Sequence, residues 1–278
     1  MDLSSTSFIT RILSLGGIGM KETILNLVNI YTEFLLNVSE YTILTEEIKN
    51  RMDANKILIH YYSLEKKVMD YSKFDNRVAS YLLENKLDQF INKEIDNNKI
   101  NELLASGVLN ENIISYFIEK EKTVLSIKSD AILNKVRSNK LEIRSKIKNM
   151  DIFDLVKRRE LLRLQTNETR YNYFNAAKAT KDMLLLNERD RITVKVKGDL
   201  TSLEIKVVNR IYKDEFIDYL TANNIDAFKY SVLDAKLKNS KNKKLDMDIV
   251  NSYKIVNKKE CLFIKVLPGL LKKYNKKK

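Results

Sequence analysis

The scarcity of chain-breaking residues is the feature that most restricts the fold. The chain has 278 residues but a single proline, Pro268, and six glycines. Residues 20–106 and 108–197 contain neither, and uninterrupted stretches of this length favour helices joined by Asn, Asp and Ser turns. We therefore predict helices at 20–38, 41–52, 55–72, 74–98 and 98–106, and a helical chain from about 110 to 187.

The sequence pattern changes at residue 191. Apolar and polar residues alternate on both sides of Gly198, which predicts a β-hairpin with one buried face; the apolar positions are Ile192, Val194, Val196, Leu203, Ile205 and Val207. One helix near Phe216 and three further strands are expected after the hairpin, in the order ββαβββ. The predicted fold class is α+β: a predominantly helical N-terminal region with a long helix or helical hairpin, followed by a small α+β C-terminal module.

Composition divides the chain into three expected regions. Residues 1–109 form an acidic helical region, and residues 110–190 form basic long helices or a helical hairpin. Residues 191–278 form the α+β module with a Lys-rich loop and tail. In the second region we expect Asp151 to cap the start of a new helix.

Few residues are suited to catalysis or metal binding. The chain has one cysteine, Cys261, and one histidine, His60, which excludes an intrachain disulfide and most zinc sites. Glu204 and Lys206 resemble the acid–lysine pair of metal-dependent nucleases, but the same alternation is typical of a solvated hairpin, so a metal-dependent role stays open. We expect no enzymatic activity, no cofactor and no metal.

Targeting signals are not evident. The apolar runs are too short for a membrane span, so we expect no integral membrane association. The absence of disulfides favours an intracellular, reducing compartment, such as the cytoplasm, a host cytoplasm or a virion. Lysine outnumbers arginine 38 to 12, and 28 residues are asparagine, a bias that A/T-rich codons produce in viral, phage or AT-rich genomes.

The positive charge is segregated along the chain, which codon bias alone does not explain. Residues 1–119 have a net charge of −5 and residues 120–163 one of +7. Residues 164–234 are neutral, and residues 235–278 have a net charge of +11. Two basic blocks of this kind are typical of proteins that bind nucleic acid or an anionic membrane surface.

Three groups of cations are the predicted phosphate contacts. The first is a helical cluster in which arginine is chosen against the lysine bias, and its fork suits bidentate contact with phosphate. The second is the Lys-rich loop and the third is the C-terminal tail, and a solvated surface is the alternative for all three. The residues are Lys157, Arg158, Arg159 and Arg163; Lys236, Lys238, Lys241, Lys243 and Lys244; and Lys272, Lys273, Lys276 and Lys277.

These patterns lead to a preferred hypothesis and two alternatives. The preferred one is a non-enzymatic nucleic-acid-binding protein, with RNA favoured and little sequence specificity, whose helical region self-associates or binds a protein partner. One alternative is a structural or assembly protein, such as a virion, phage or scaffold component, that self-associates through its long helices. The other is a peripheral protein that uses its lysines on anionic lipid.

The segment 169–181 has two interpretations of its own. Arg170, Phe174 and Lys181 lie near one helical face and could stack a base and hold phosphates. Alternatively, Tyr171, Phe174 and Ala177 belong to the core, with basic residues around them.

Overall fold

The computed structural model describes residues 18–75, 77–196, 198–233, 236–237 and 245–275. The helices there are α1 (Ile18–Arg51), α2 (Arg77–Glu84), α3 (Asn97–Ala105), α4 (Glu111–Phe117), α5 (Asp130–Ile147), α6 (Ile152–Leu186), α7 (Glu215–Ala222), α8 (Met247–Ser252) and α9 (Pro268–Asn275). The strands are β1 (Lys56–Ile59), β2 (Tyr62–Phe74), β3 (Ile91–Ile95), β4 (Ile118–Lys128), β5 (Arg191–Val196), β6 (Asp199–Tyr212), β7 (Phe228–Val232) and β8 (Lys254–Val266). The α+β class predicted from the sequence is confirmed.

The chain folds into two compact units, each assembled from separate stretches. Unit 1 comprises Met1–Lys67, Thr123–Lys206 and Leu262–Lys278, and unit 2 comprises Val68–Lys122 and Val207–Cys261. Strands β2, β4, β6 and β8 each have residues in both units. The three consecutive regions expected from composition therefore do not coincide with the units.

The strands form small antiparallel sheets that join distant parts of the sequence. Their orders are β1-β2-β8, β3-β7 and β4-β6-β5. In the β5–β6 hairpin Ile192 pairs with Leu203, and Gly198 adopts a φ of 97° in the turn. Each strand beyond residue 190 lies in a sheet that also contains a strand from before it, so earlier strands complete the α+β region.

The core of unit 1 lies mainly between its long helices and the sheets beside them. One cluster contains Leu44, Ile48, Leu64, Leu155 and Leu162, and a second contains Leu27, Leu125, Ile132, Leu184 and Leu203. Unit 2 has two smaller clusters, centred on Leu82 and Phe90 and on Ile100 and Phe216. None of the described helices is long and apolar enough to cross a membrane.

Helix starts follow the local chemistry expected of capping residues. The carboxylate of Asp151 accepts a hydrogen bond from the backbone N–H of Asp154 at 2.8 Å, which confirms the predicted cap of α6. The hydroxyl of Ser129 caps α5 in the same way, through the N–H of Ile132. These caps separate α5 and α6 from the residues before them without glycine or proline.

Several predicted helices are strands, and the prediction at 55–72 is wrong. Residues 56–74 form β1 and β2, joined at His60, which has a φ of 51°. Glycine is the residue most often found in this left-handed conformation, but here a histidine adopts it. Lys86 has a φ of 55° within the predicted helix 74–98, which is α2, a short 3-10 turn and β3 instead.

The other differences concern continuity. The predicted helices 20–38 and 41–52 are one helix, α1, and the predicted helical stretch from 110 contains the strand β4. The two last predicted strands are the single strand β8, preceded by the short helix α8. The helix around Phe216 and the strand that begins at Phe228 were predicted correctly.

Two polar side chains, Ser39 and Thr166, lie in the α1–α6 contact between the two apolar clusters of unit 1. The hydroxyls of Ser39 and Thr166 are buried and have no hydrogen-bond partner in the described part of the chain. By contrast, the hydroxyl of Thr180, also on α6 and fully buried, donates to the carbonyl of Ala176 at 2.8 Å. A buried hydroxyl without a partner keeps the cost of its desolvation.

Thr166→Val is therefore expected to stabilise the protein by about 1 kcal/mol, since valine has a similar shape and no hydroxyl to desolvate. Thr180→Val is the matched control, because it removes a hydroxyl that is satisfied. Urea unfolding of both variants measures the difference. Equal effects of the two substitutions on the free energy of unfolding would contradict the assignment.

Candidate nucleic-acid interface

The predicted helical cluster lies on α6 in unit 1, and its cations are engaged within the protein. Arg158 donates from Nε to Glu40 Oε1 at 2.7 Å, and this hydrogen bond raises the pKa of its guanidinium. Lys157 Nζ lies 3.3 Å from Asp154 Oδ1, and Arg163 Nε lies 3.0 Å from Glu160 Oε2. Each of these charges already has a carboxylate partner.

Arg159 is buried rather than available to a ligand. It is 6% exposed and donates from Nε to Thr45 Oγ1 at 2.9 Å and from a terminal nitrogen to the hydroxyl of Tyr41 at 2.6 Å. Another terminal nitrogen donates to Glu160. The prediction that Arg159 contacts phosphate is corrected by this geometry, because its guanidinium holds α6 against α1.

A different row of cations faces outward on α5. Ile132, Ile143 and Ile147 bury one side of this helix. On another side Arg137, Lys140, Arg144 and Lys148 follow at steps of three, four and four residues. We call these four residues the α5 row.

The cations of the α5 row are exposed, and within the described ranges none forms an ion pair. The row extends about 17 Å along the helix axis at 1.5 Å per residue. Lys146, on another side of α5, differs, because its Nζ contacts Glu142 Oε1 at 2.6 Å. Most of the unpaired positive charge of α5 therefore lies on the row, and Lys135 is the other exposed cation of this helix without an ion pair among the described residues.

The charge of this region was visible in the sequence, but its location was not. The composition shows that the block 120–163 is basic, and the cluster of three arginines on α6 favours that helix as the predicted phosphate-binding segment. The α5 row has the helical spacing that would have revealed it, with Arg137 and Arg144 two turns apart. What the sequence could not show is that Arg158 and Arg159 find carboxylate or hydroxyl partners on α1.

The C-terminal lysines belong to the same unit as the α5 row. The N–H of Leu267, just before α9, donates to the carbonyl of Tyr61 at 2.8 Å. The ring of Tyr61 lies 5.7 Å from that of Phe153, at the start of α6. Lys272 and Lys273 on α9 are exposed. The start of α9 thus lies near the connection between α5 and α6, at one end of unit 1.

This end of unit 1 is fixed by Arg51, the last residue of α1. Its guanidinium donates to the carbonyls of Ile147, at 2.8 Å, and Met150. Carbonyls at the end of a helix lack partners within it, so a cation there satisfies them. Lys148, the last member of the row, is held by this contact.

The remaining predicted phosphate contacts and the Glu204–Lys206 pair give less information about a binding site. Lys236 is exposed in unit 2, whereas Lys238, Lys241, Lys243, Lys244, Lys276 and Lys277 lie outside the described residues. Glu204 lies 3.4 Å from Lys206 Nζ and 4.0 Å from Lys128 Nζ, so its neighbours are ammonium groups. Over the part of the chain that the structure describes, no three His, Cys, Asp or Glu side chains group as metal ligands.

A cleft of about 350 Å³ lies between α1, the start of α5 and the β5–β6 hairpin. Its walls are largely apolar, with Leu36, Ile132 and Val196 among them, and Glu33, Asp199 and Lys135 line it as well. Two carboxylates against one ammonium make its charged lining unfavourable for phosphate. The α5 row is the better candidate for an anion.

Comparison with known proteins gives no further guide to the function. A scan against protein-family models, a search of curated proteins and a search of solved structures each return no match.

Arg159 and Arg158 offer a direct test of which cations are structural. Arg159→Ala should destabilise the protein by about 2 kcal/mol, because it removes a buried side chain that bonds the hydroxyl of Tyr41 and stacks on its ring. Arg158→Ala should cost less than about 1 kcal/mol, since its ion pair is half exposed. Thermal or urea unfolding of the two variants provides the comparison, and equal losses would contradict this difference between the two arginines.

Proposed function

We propose that the protein is a non-enzymatic nucleic-acid-binding protein that prefers RNA and reads little sequence. The observation that carries the proposal is the α5 row, whose four cations are exposed and without an ion-pair partner among the described residues. Phosphate contacts of this kind supply affinity without base readout. Lys272 and Lys273, exposed on α9 of the same unit, are the other described candidates for phosphate contact.

Arginine gives the row a particular suitability for phosphate. Arg137 and Arg144 lie on the same face, about 10 Å apart along the helix. A guanidinium can contact two phosphate oxygens at once, and it loses less hydration than an ammonium group. Lys140 lies between them, so three successive positive charges follow one line along the helix.

The distribution of acidic residues supports the same surface. Glu142 of α5 pairs with Lys146, on another side of the helix from the row. Asp130, in the first turn of α5, lies about 10 Å along the axis from Arg137. Among the described residues of this helix, the unpaired carboxylate nearest to a polyanion on the row is therefore that of Asp130, which lies beyond the N-terminal end of the row.

The test is a titration of fluorescent single-stranded RNA at several salt concentrations. Arg137→Ala/Lys140→Ala/Arg144→Ala should weaken binding at low salt and reduce the slope of log affinity against log salt by about 2, at roughly 0.7 per phosphate contact. The matched control is Lys99→Ala/Lys146→Ala/Lys157→Ala. It removes the same charge from three cations that already have carboxylate partners.

The control triple should leave the slope near that of the unchanged protein. Equal loss in both triples would show that net charge, and not the α5 row, determines binding. A slope near zero for the unchanged protein would exclude the proposed function itself. Parallel titrations with double-stranded RNA, DNA and anionic vesicles test the preference for single-stranded RNA.

A further inference from the structure

Helix α6 presents apolar side chains on two different faces. Its inner face packs in unit 1 through Leu155, Leu162 and Leu184. Its outer face exposes four large apolar side chains: Leu161 (49%), Leu164 (59%), Tyr171 (68%) and Phe174 (56%). A cluster of exposed apolar side chains on one helix is typical of an interaction surface.

The spacing of the outer face is that of a short coiled-coil seam. Leu164, Asn167, Tyr171 and Phe174 follow at steps of three, four and three residues, as the core positions of a heptad repeat do. Leu161 and Glu168 lie along one edge of this seam, and Arg163 and Arg170 lie along the other. From Leu164 to Phe174 the seam extends about 15 Å along the helix.

We propose that the α6 outer face docks on the same face of a second copy of this chain, with the two helices parallel. In a parallel pair, a residue on one edge meets the residue five positions later on the opposite edge of the other helix. Arg163 keeps its Nε contact with Glu160 of its own helix and directs its terminal nitrogens to Glu168 of the second copy, and the reverse pair follows by symmetry. Glu168 is exposed and unpaired within the described ranges, so this partner satisfies a free carboxylate.

An antiparallel pair is disfavoured by the same charges. In that arrangement each edge meets its own equivalent, so Glu168 approaches Glu168 and Arg170 approaches Arg170 near the symmetry axis. Like charges brought together weaken an interface and exclude the wrong orientation. The parallel pair also places Tyr171 opposite Tyr171 and Phe174 opposite Phe174, which allows aromatic contacts.

A nucleic acid is a poorer occupant of this face than a protein helix. Leu161 and Leu164 offer no aromatic plane for a base, and Glu168 lies along one edge of the face, where it repels phosphate. Arg170 lies 5.6 Å from the centroid of the Phe174 ring and so already has a cation–π partner. Lys181, a member of the predicted stacking surface, is half-buried with Nζ 3.4 Å from the carbonyl of Thr123.

The contact is expected to be short and reversible. Lys178 occupies the next core position after Phe174, and two ammonium groups would meet there in a parallel pair. The seam therefore ends at Phe174, and the dimer depends on concentration. The inference is independent of the α5 row and does not rest on the proposed function.

Cysteine crosslinking tests the partner and its orientation together. In a full-length Cys261→Ser background, Leu164→Cys and Phe174→Cys should each form a disulfide-linked dimer on mild oxidation without RNA, because each meets its own equivalent. Leu141→Cys is the matched control: Leu141 is 71% exposed, on α5. It should form no disulfide-linked dimer under the same conditions.

Three results would overturn the proposal. Equal crosslinking of all three variants would indicate random collision. A disulfide that forms only between Leu164→Cys and Phe174→Cys in a mixture would indicate antiparallel helices. No crosslink in the full chain, together with crosslinking after removal of residues 1–17, would show that the N-terminal segment occupies the face.

Charge reversal provides a second measurement that does not depend on oxidation. Glu168→Arg should raise the dimer Kd by about tenfold, because two attractive pairs become repulsive. Adding Arg163→Glu to that variant should restore most of the affinity, since the pair is rebuilt with its signs exchanged. Sedimentation equilibrium reports the Kd of each variant, and no rescue by the second substitution would contradict the Arg163–Glu168 contact.

Discussion

The contact between α1 and α6 determines which charges remain for function. The two helices run antiparallel: Phe34 stacks on Tyr173 with ring centroids 5.7 Å apart toward one end, and Thr45 and Tyr41 accept hydrogen bonds from Arg159 toward the other. Burial at this contact raises the pKa of the Tyr173 hydroxyl. On α6, Arg158 and Arg159 have partners on α1, and Lys157 and Arg163 have carboxylate partners on α6 itself. The cations of the α5 row have no ion pair among the described residues.

The same contact accounts for only one of the two apolar sides of α6. One side is needed for packing on α1, as for any surface helix of this length. The second side has no counterpart among the described residues of unit 1, and its spacing matches that of a coiled-coil seam. The proposed phosphate contact and the proposed self-association concern different helices, so mutation can separate them.

The sequence allowed the fold class, the β5–β6 hairpin and the Asp151 cap to be predicted, because each depends on neighbouring residues. The predictions are wrong where the chain turns without glycine. His60 and Lys86 adopt left-handed conformations that the positions of glycine and proline do not indicate, so the sequence predicts helix where β1, β2 and β3 lie. Strand β4 depends on its pairing with β6, a contact that local periodicity does not reveal.

For the candidate site, the sequence located the charge but not its availability. Glu40 precedes Arg158 by 118 residues, and Thr45 precedes Arg159 by 114, so these two arginines have partners that are distant in the chain. Phe174 was equally ambiguous, since an aromatic residue on a helix is equally consistent with core and surface. The structure shows it exposed, on the side of α6 that bears Leu164 and Tyr171.

The most direct test of the account is to locate bound RNA on the protein. Ultraviolet crosslinking of the unchanged protein to single-stranded RNA, followed by mass spectrometry, identifies the peptides in contact. The account predicts crosslinked peptides from residues 130–148 and from the C-terminal lysines. Crosslinks confined to residues 152–163, or to the seam of α6 around Tyr171, would contradict it.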